Sequence, residues 1–184
     1  MVPISRMPYY RDEKGKRYLN LRATDMIREH GGKILKFRNL PQEAQLALVH
    51  YMAIDGSAWK VAPGLDEETY RERGWAKVLS RFLPFYVKKY GKAEFGYIAS
   101  IPINTLIDSV LNDADAGDWK NKGWQSLHEW YMKAGPKHKA LAKKPWPVIL
   151  SSFDDETLED GWTRFHQYAE KGLKACPALW YPPR

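Results

Sequence analysis

The sequence predicts an α+β fold: a small mixed sheet flanked by helices, with a mainly helical, basic elaboration over residues 1–92 ahead of a core at 93–184. Three observations predict it. Short extended runs bounded by Gly, Pro and Asp alternate with stretches whose apolar residues recur at helical spacing. Between Trp146 and Tyr181 a strand, a turn, a second strand, a glycine turn, a helix and a final strand follow one another. A length of 184 residues suits one domain with a substantial core.

In chain order, two extended runs around the turn Asp12-Glu13-Lys14-Gly15-Lys16 read as a hairpin. Thr24 or Asp25 caps a short helix that runs to His30 and stops at Gly31-Gly32. Pro41 opens a helix in which Ala44, Leu48, Tyr51 and Met52 form one buried stripe, ending at Asp55-Gly56. His50 lies in it with no acidic or metal-binding neighbour in register and reads as a packing or surface histidine. Asp66-Glu67-Glu68 starts the next helix, with Trp75, Val78, Leu79, Phe82 and Tyr86 on one face and Pro84 expected to kink or interrupt it. Phe95 to Ile103 is extended, with Pro102 fitting an edge or a strand end, and a helix follows from Asn104 to Leu111. Residues 112–123 read as a loop and Trp124 to Met132 as a helix. Then come the strands Trp146–Leu150 and Thr157–Glu159 with the acidic turn Asp154-Asp155-Glu156 between them. A helix from Trp162 to Lys171 closed by Gly172 and a last strand from Ala175 to Tyr181 complete the chain. On that helix Trp162, Phe165 and Ala169 are expected to face inward and Arg164, Gln167 and Lys171 outward.

The net charge of +7 is uneven: residues 1–92 hold 18 Lys and Arg against 10 Asp and Glu, and residues 93–184 hold 11 against 12. A basic front half attracts polyanions such as nucleic acid, an anionic membrane or an acidic protein, and it is equally the pattern of a solvated basic surface. The stretch Lys133 to Lys144 has no acid; Lys137, Lys139, Lys143 and Lys144 are its candidates for phosphate contact, against a plain solvated loop. One cysteine, Cys176, excludes an internal disulfide and a cysteine metal cage, as expected in a reducing compartment. No apolar run reaches the roughly 20 residues that span a bilayer, and the first ten residues lack the pattern of a signal peptide, so a cytoplasmic protein is expected. With 8 Trp, 11 Tyr and 6 Phe, the chain has wide aromatic surfaces to bury or to use. Trp119, Trp124, Trp130 and Trp180 are candidate anchors for a partner if exposed, and core otherwise.

Function is sought at Asp160-Gly161-Trp162-Thr163-Arg164. A glycine turn feeding a helix aims unpaired N–H groups outward, and an arginine in the first turn can fork onto phosphate oxygens. Asp160 then either holds a divalent metal, together with Glu159, Glu156 or Asp155, or caps the helix. His166 is a candidate proton carrier or a polar structural histidine; it lies about 200° round the helix from Arg164, so the two do not converge on one phosphate.

The ordered pieces Ile101-Pro102-Ile103 through Leu106, Pro147 to Leu150, Leu158 to Arg164, Gly172, and Pro177-Ala178-Leu179 resemble the ParB/sulfiredoxin superfamily. They cover under half of the chain. The resemblance implies phosphate binding by Gly161, Trp162, Thr163 and Arg164, with ATP and Mg²⁺ as cofactors. The sulfiredoxin nucleophile is replaced by Trp162, which excludes sulfinic acid reduction, and the acid and first arginine of the partition-protein motif are absent. With the basic front half and the run Asp155 to Trp162, the chain resembles the oncogenic-suppression type of plasmid fertility inhibition factor. That resemblance implies a plasmid protein blocking DNA or effector transfer through a type IV secretion system. It also implies ATP hydrolysis and DNA cleavage, with Asp160, Arg164 and His166 as the catalytic candidates. DNA, the coupling ATPase and relaxosome components are the implied partners, and the cytoplasmic face of the inner membrane is a possible location. The alternative is a binding module without catalysis, occupying a protein partner or DNA.

Overall fold

A computed structural model describes residues 1–54, 75–111, 123–134, 144–153 and 156–183. The Asp66 helix start, the loop at 112–122, Trp119, Asp154, Asp155, Lys137, Lys139 and Lys143 lie outside the described residues.

The chain opens with a 3-10 turn at Ile4–Arg6 and an antiparallel hairpin of β1 (Tyr9–Arg11) and β2 (Arg17–Leu19), paired Tyr9 with Leu19 and Arg11 with Arg17. Helix α1 is Leu21–Glu29, four residues longer at its start than a cap at Thr24 would give. Its cap is Asn20, whose side-chain oxygen accepts from the Ala23 N–H at 2.9 Å while its amide nitrogen donates to the carbonyls of Ser151, Phe153 and Glu156. A fully buried asparagine therefore ends the hairpin, starts the helix and ties both to the loop after a distant strand. Gly31 follows the helix at φ 70°, as the Gly31-Gly32 stop requires.

Next come β3 (Lys33–Lys36), α2 (Gln42–Ile54), α3 (Trp75–Tyr90) and β4 (Glu94–Pro102). Residues Ala44 to Val49 of α2 are all buried, so this helix is covered on every side rather than along one stripe. Helix α3 runs through Pro84 without interruption; Pro84 is exposed, and Phe82, Leu83 and Tyr86 around it are buried, which holds the helix despite the missing donor. The remaining elements are α4 (Ile103–Leu111), α5 (Gly123–Ala134), β5 (Val148–Leu150), β6 (Leu158–Asp160), α6 (Trp162–Glu170) and β7 (Ala175–Trp180). Five strands make one mixed sheet in the order β3-β4-β7-β5-β6, so the α+β class holds. β7 pairs antiparallel with β4 and parallel with β5, and β5 pairs antiparallel with β6. Pro102 ends β4.

The chain divides into two compact units: Met1–Ile34 with Phe95–Arg184, and Leu35–Glu94. The front of the chain is thus split, since residues 1–34 join the later sheet unit and the helical unit begins only at Leu35.

Within the sheet unit the pieces of sequence singled out above fall on adjoining elements. Ile101-Pro102-Ile103 is the β4–α4 junction, Pro147 to Leu150 enters and forms β5, Leu158 to Arg164 spans β6, the glycine turn and the start of α6, and Pro177-Ala178-Leu179 lies in β7. At the sheet centre Trp180, opposite Gly96 in the β4–β7 register, is fully buried and donates from Nε1 to the Arg6 carbonyl at 3.1 Å. It is core, not a surface anchor. A Cβ at position 96 would lie 1.9 Å from the indole, so the ring occupies the space that glycine leaves. Gly96→Ala is expected to lower unfolding free energy by about 1–3 kcal/mol or more through overpacking, read as a reduced urea midpoint at unchanged m-value.

Candidate functional site

Asp160 is the last residue of β6, Gly161 adopts φ 101° and ψ 13°, and α6 begins at Trp162. The glycine turn and helix start stand where the sequence puts them. The arginine does not. Arg164 is 3% exposed, not outward-facing: its Nε and Nη2 donate to the Pro147 carbonyl at 2.9 and 2.6 Å, and Nη1 donates to Asp160 Oδ2 at 2.9 Å. A Cβ on Gly161 would sit 2.9–3.0 Å from the guanidinium, so Arg164 folds back against the turn and occupies the space that glycine leaves. Glycine is required there twice, by its positive φ and by this approach.

The outward assignment fails because three donors of one side chain find a strand-entry carbonyl and a strand-end carboxylate within reach, which makes burial of the charge affordable. One turn later Tyr168 repeats the pattern, its OH donating to the Trp146 carbonyl at 3.0 Å. Burial raises the Tyr168 phenol above its ordinary range and pushes the Cys176 thiol up to about 12, the nearby Arg164 charge opposing both shifts. Cys176, 2% exposed, is therefore a small packing residue and not a nucleophile.

The metal candidates fit no better. Asp160 is engaged by Arg164, Glu156 Oε2 accepts from Ser151 Oγ at 3.2 Å, and among the described residues no three His, Cys, Asp or Glu side chains gather as a metal would need. Lys144 is exposed.

A different cluster joins α5 to α6. Trp124, His128 and Tyr131 on α5 meet Trp162, His166 and Glu170 on α6. The His166 ring is stacked between Trp124, at 4.7 Å and 12°, and Tyr131, at 4.3 Å and 13°, and Tyr131 stacks in turn on Trp162 at 5.9 Å. His128 Nδ1 lies 3.0 Å from His166 Nδ1 and its Nε2 lies 2.8 Å from Glu170 Oε2. A carboxylate only accepts, so His128 donates from Nε2 to Glu170, and the tautomer that completes the chain has Nδ1–H of His166 donating to His128 Nδ1. His166 Nε2 is then a buried atom without a partner. Burial first, and the neighbouring His128 second, lower the His166 pKa from 6.5 to about 3, so the imidazole is neutral. Its Nε2 is sealed, which suits a structural histidine and not a proton carrier to solvent.

His128 and Glu170 also line a cleft of about 620 Å³ with Asn104, Trp124, Gln125 and Lys174. That volume lies in the range of ligand pockets, and it opens at the end of α6 opposite to the glycine turn. Spacing carried this signal: Trp162, His166 and Glu170 recur every four residues on one helix, and Trp124, His128 and Tyr131 at four and three on the other. What spacing did not show is that the two rows face each other. Trp130 is 50% exposed, whereas Trp124 is half-buried in the stack.

No helix among the described residues is long and apolar enough to cross a membrane. Comparison with protein-family models, curated proteins and solved structures returned no match.

Two measurements test this geometry. Arg164→Met should cost about 3–5 kcal/mol in urea denaturation, because Asp160 and the Pro147 carbonyl lose their partner inside the protein; a near-neutral result would mean that the guanidinium is exchangeable with solvent. For His166 the folded pKa lies below the unfolded one, so its contribution to stability is complete above pH 6.5 and is lost as pH falls toward 3. His166→Gln is expected to flatten the acid limb of the stability curve in that window by up to about 1.4 kcal/mol per pH unit.

Proposed function

We propose that this chain is a plasmid fertility inhibition protein that blocks conjugative DNA or effector transfer through a type IV secretion system. In this reading it has a ParB/sulfiredoxin-like core and works in the cytoplasm, at the inner face of the membrane, by occupying DNA, the coupling ATPase or a relaxosome component. The observation that carries the proposal is the order of the resembling pieces: they lie on the β4–α4 junction, β5, β6 with its glycine turn, α6 and β7, and four of those strands are consecutive neighbours in one sheet. Occupancy, rather than chemistry at the Asp160 turn, is favoured by the commitment of Arg164 to Pro147 and Asp160.

A second, hydrolytic reading keeps the implied ATP and Mg²⁺ chemistry, with DNA cleavage beside it, and moves it to the cleft at the far end of α6. It is favoured by the solvent-facing Glu170 carboxylate on the cleft wall, which His128 orients by donating from Nε2, as a carboxylate base requires. Lys174 supplies a cation there for an anionic group.

Mating assays with the chain expressed in the plasmid donor separate the two. Wild type is expected to lower transfer frequency, and unchanged frequency rejects the inhibitor reading altogether. Glu170→Gln keeps a hydrogen bond acceptor beside His128 but removes the charge. It should leave inhibition intact if occupancy is sufficient, and should abolish inhibition together with ATP turnover if the cleft is hydrolytic.

A further inference from the structure

The hairpin β1–β2 carries a concentration of positive charge that the fold does not neutralise. Arg11 and Arg17 face each other across the strands, and like charges at directly opposed positions oppose pairing. Both guanidinium groups converge on one ring, at 4.1 Å for Arg17 and 5.3 Å for Arg11 from the Tyr9 centroid. Their remaining bonds go to neutral carbonyls, Arg11 to Gly15 at 2.9 Å and Arg17 to Ser5 at 3.3 Å. Both side chains are exposed, and among the described residues no carboxylate pairs with either.

Lys16 adds a third cation over the Tyr18 ring at 5.2 Å, on the face where Tyr10 and Tyr18 stack, and Lys14 is exposed at the turn. The nearest acid is used internally: Asp12 accepts from the backbone N–H groups of Lys14 and Lys16 and from the Tyr18 hydroxyl, which shapes the turn. Asp12 and Glu13, the latter exposed at the tip, are two acids against the four cations, so positive charge remains in excess.

Two arginines held together over a tyrosine without a counter-ion form a fork for phosphodiester oxygens, and tyrosine rings that pre-order the cations reduce the entropy lost on binding. We propose that the β1–β2 hairpin is a nucleic-acid contact, with Arg11 and Arg17 as its phosphate-binding pair and Lys14 and Lys16 flanking them. A nucleic acid fits better than a lipid surface because the turn, Asp12-Glu13-Lys14-Gly15, has no apolar residue to insert among acyl chains. The hairpin is distinct in sequence from the Lys137–Lys144 stretch, and its contact holds whether or not the chain inhibits transfer.

The test is fluorescence anisotropy of a labelled single-stranded oligodeoxynucleotide titrated over a range of salt concentrations. Glutamine keeps part of the aliphatic stem over Tyr9, so the double variant R11Q/R17Q removes charge with little loss of packing. Losing two phosphate contacts lowers the slope of log affinity against log salt by about 1.4, and the affinity at 0.1 M salt by roughly 25-fold. Near-UV circular dichroism checks the fold; if that pair is misfolded, K14Q/K16Q, whose backbone bonds to Asp12 persist, should give a loss of the same kind. Absence of oligonucleotide binding by wild type, or affinity and slope unchanged in a folded double variant, overturns the proposal. So does a loss confined to anionic phospholipid vesicles, which would make the hairpin a membrane contact.

Discussion

The sheet unit depends on one buried cation. The Arg164 guanidinium joins three segments that are separate in sequence: the entry to β5 through the Pro147 carbonyl, the end of β6 through Asp160, and the first turn of α6 through its own backbone. Each strand it touches is only three residues long, too short for ladder hydrogen bonds alone to fix its register. A planar fork with fixed donor directions supplies that register, because sliding β5 or β6 by one residue would leave the Pro147 carbonyl or the Asp160 carboxylate out of reach. Burying a charge is costly, and an apolar side chain of similar volume would fill the same space, yet it would specify no register.

From that clamp follows the division of α6 into two working faces. Arg164 and Tyr168 bond the two carbonyls that precede β5, while Trp162, His166 and Glu170 meet α5. The helix is therefore buried over five successive residues from Arg164 to Tyr168, although three of them are polar or charged. Its polar groups are satisfied by partners rather than by water, with Nε2 of His166 the exception, held neutral between aromatic rings. A neutral imidazole suits such a stack because it is flat, and its unpaired nitrogen is the cost of placing it there.

Much of this was legible in the sequence, for local reasons. Gly161, Gly172 and Pro102 punctuate elements whose type apolar spacing had already given, so β4, α4, β5, α6 and β7 emerge within a residue or two of their places. Failures occurred where a tertiary partner overrode a local rule. An arginine in the first turn of a helix reads as exposed unless one knows that a carbonyl from residue 147 lies beneath it. Thr24 and Asp25 read as the cap of α1, but Asn20, with three carbonyl partners beyond residue 150 that no pattern reveals, sets its start. Helix α2 looked like one stripe but is covered all round, since no helical period reveals how many neighbours a helix will have.

The same logic separates buried from available charge in this chain. Arg164 has a carboxylate and a carbonyl, forms its bonds inside, and contributes order; Arg11 and Arg17 have only carbonyls and a ring, and keep their charge facing water. A cation whose Coulombic partner is supplied by the fold is spent on stability, whereas cations brought together without one retain a field that an external anion can satisfy. By that criterion the arginine of the glycine turn at 161 is already engaged by the protein's own groups, and the anion-seeking surface lies on a hairpin whose sequence shows no binding motif. Identifying the functional charges in a basic protein therefore depends less on where arginine stands in a motif than on whether the folded chain has already answered it.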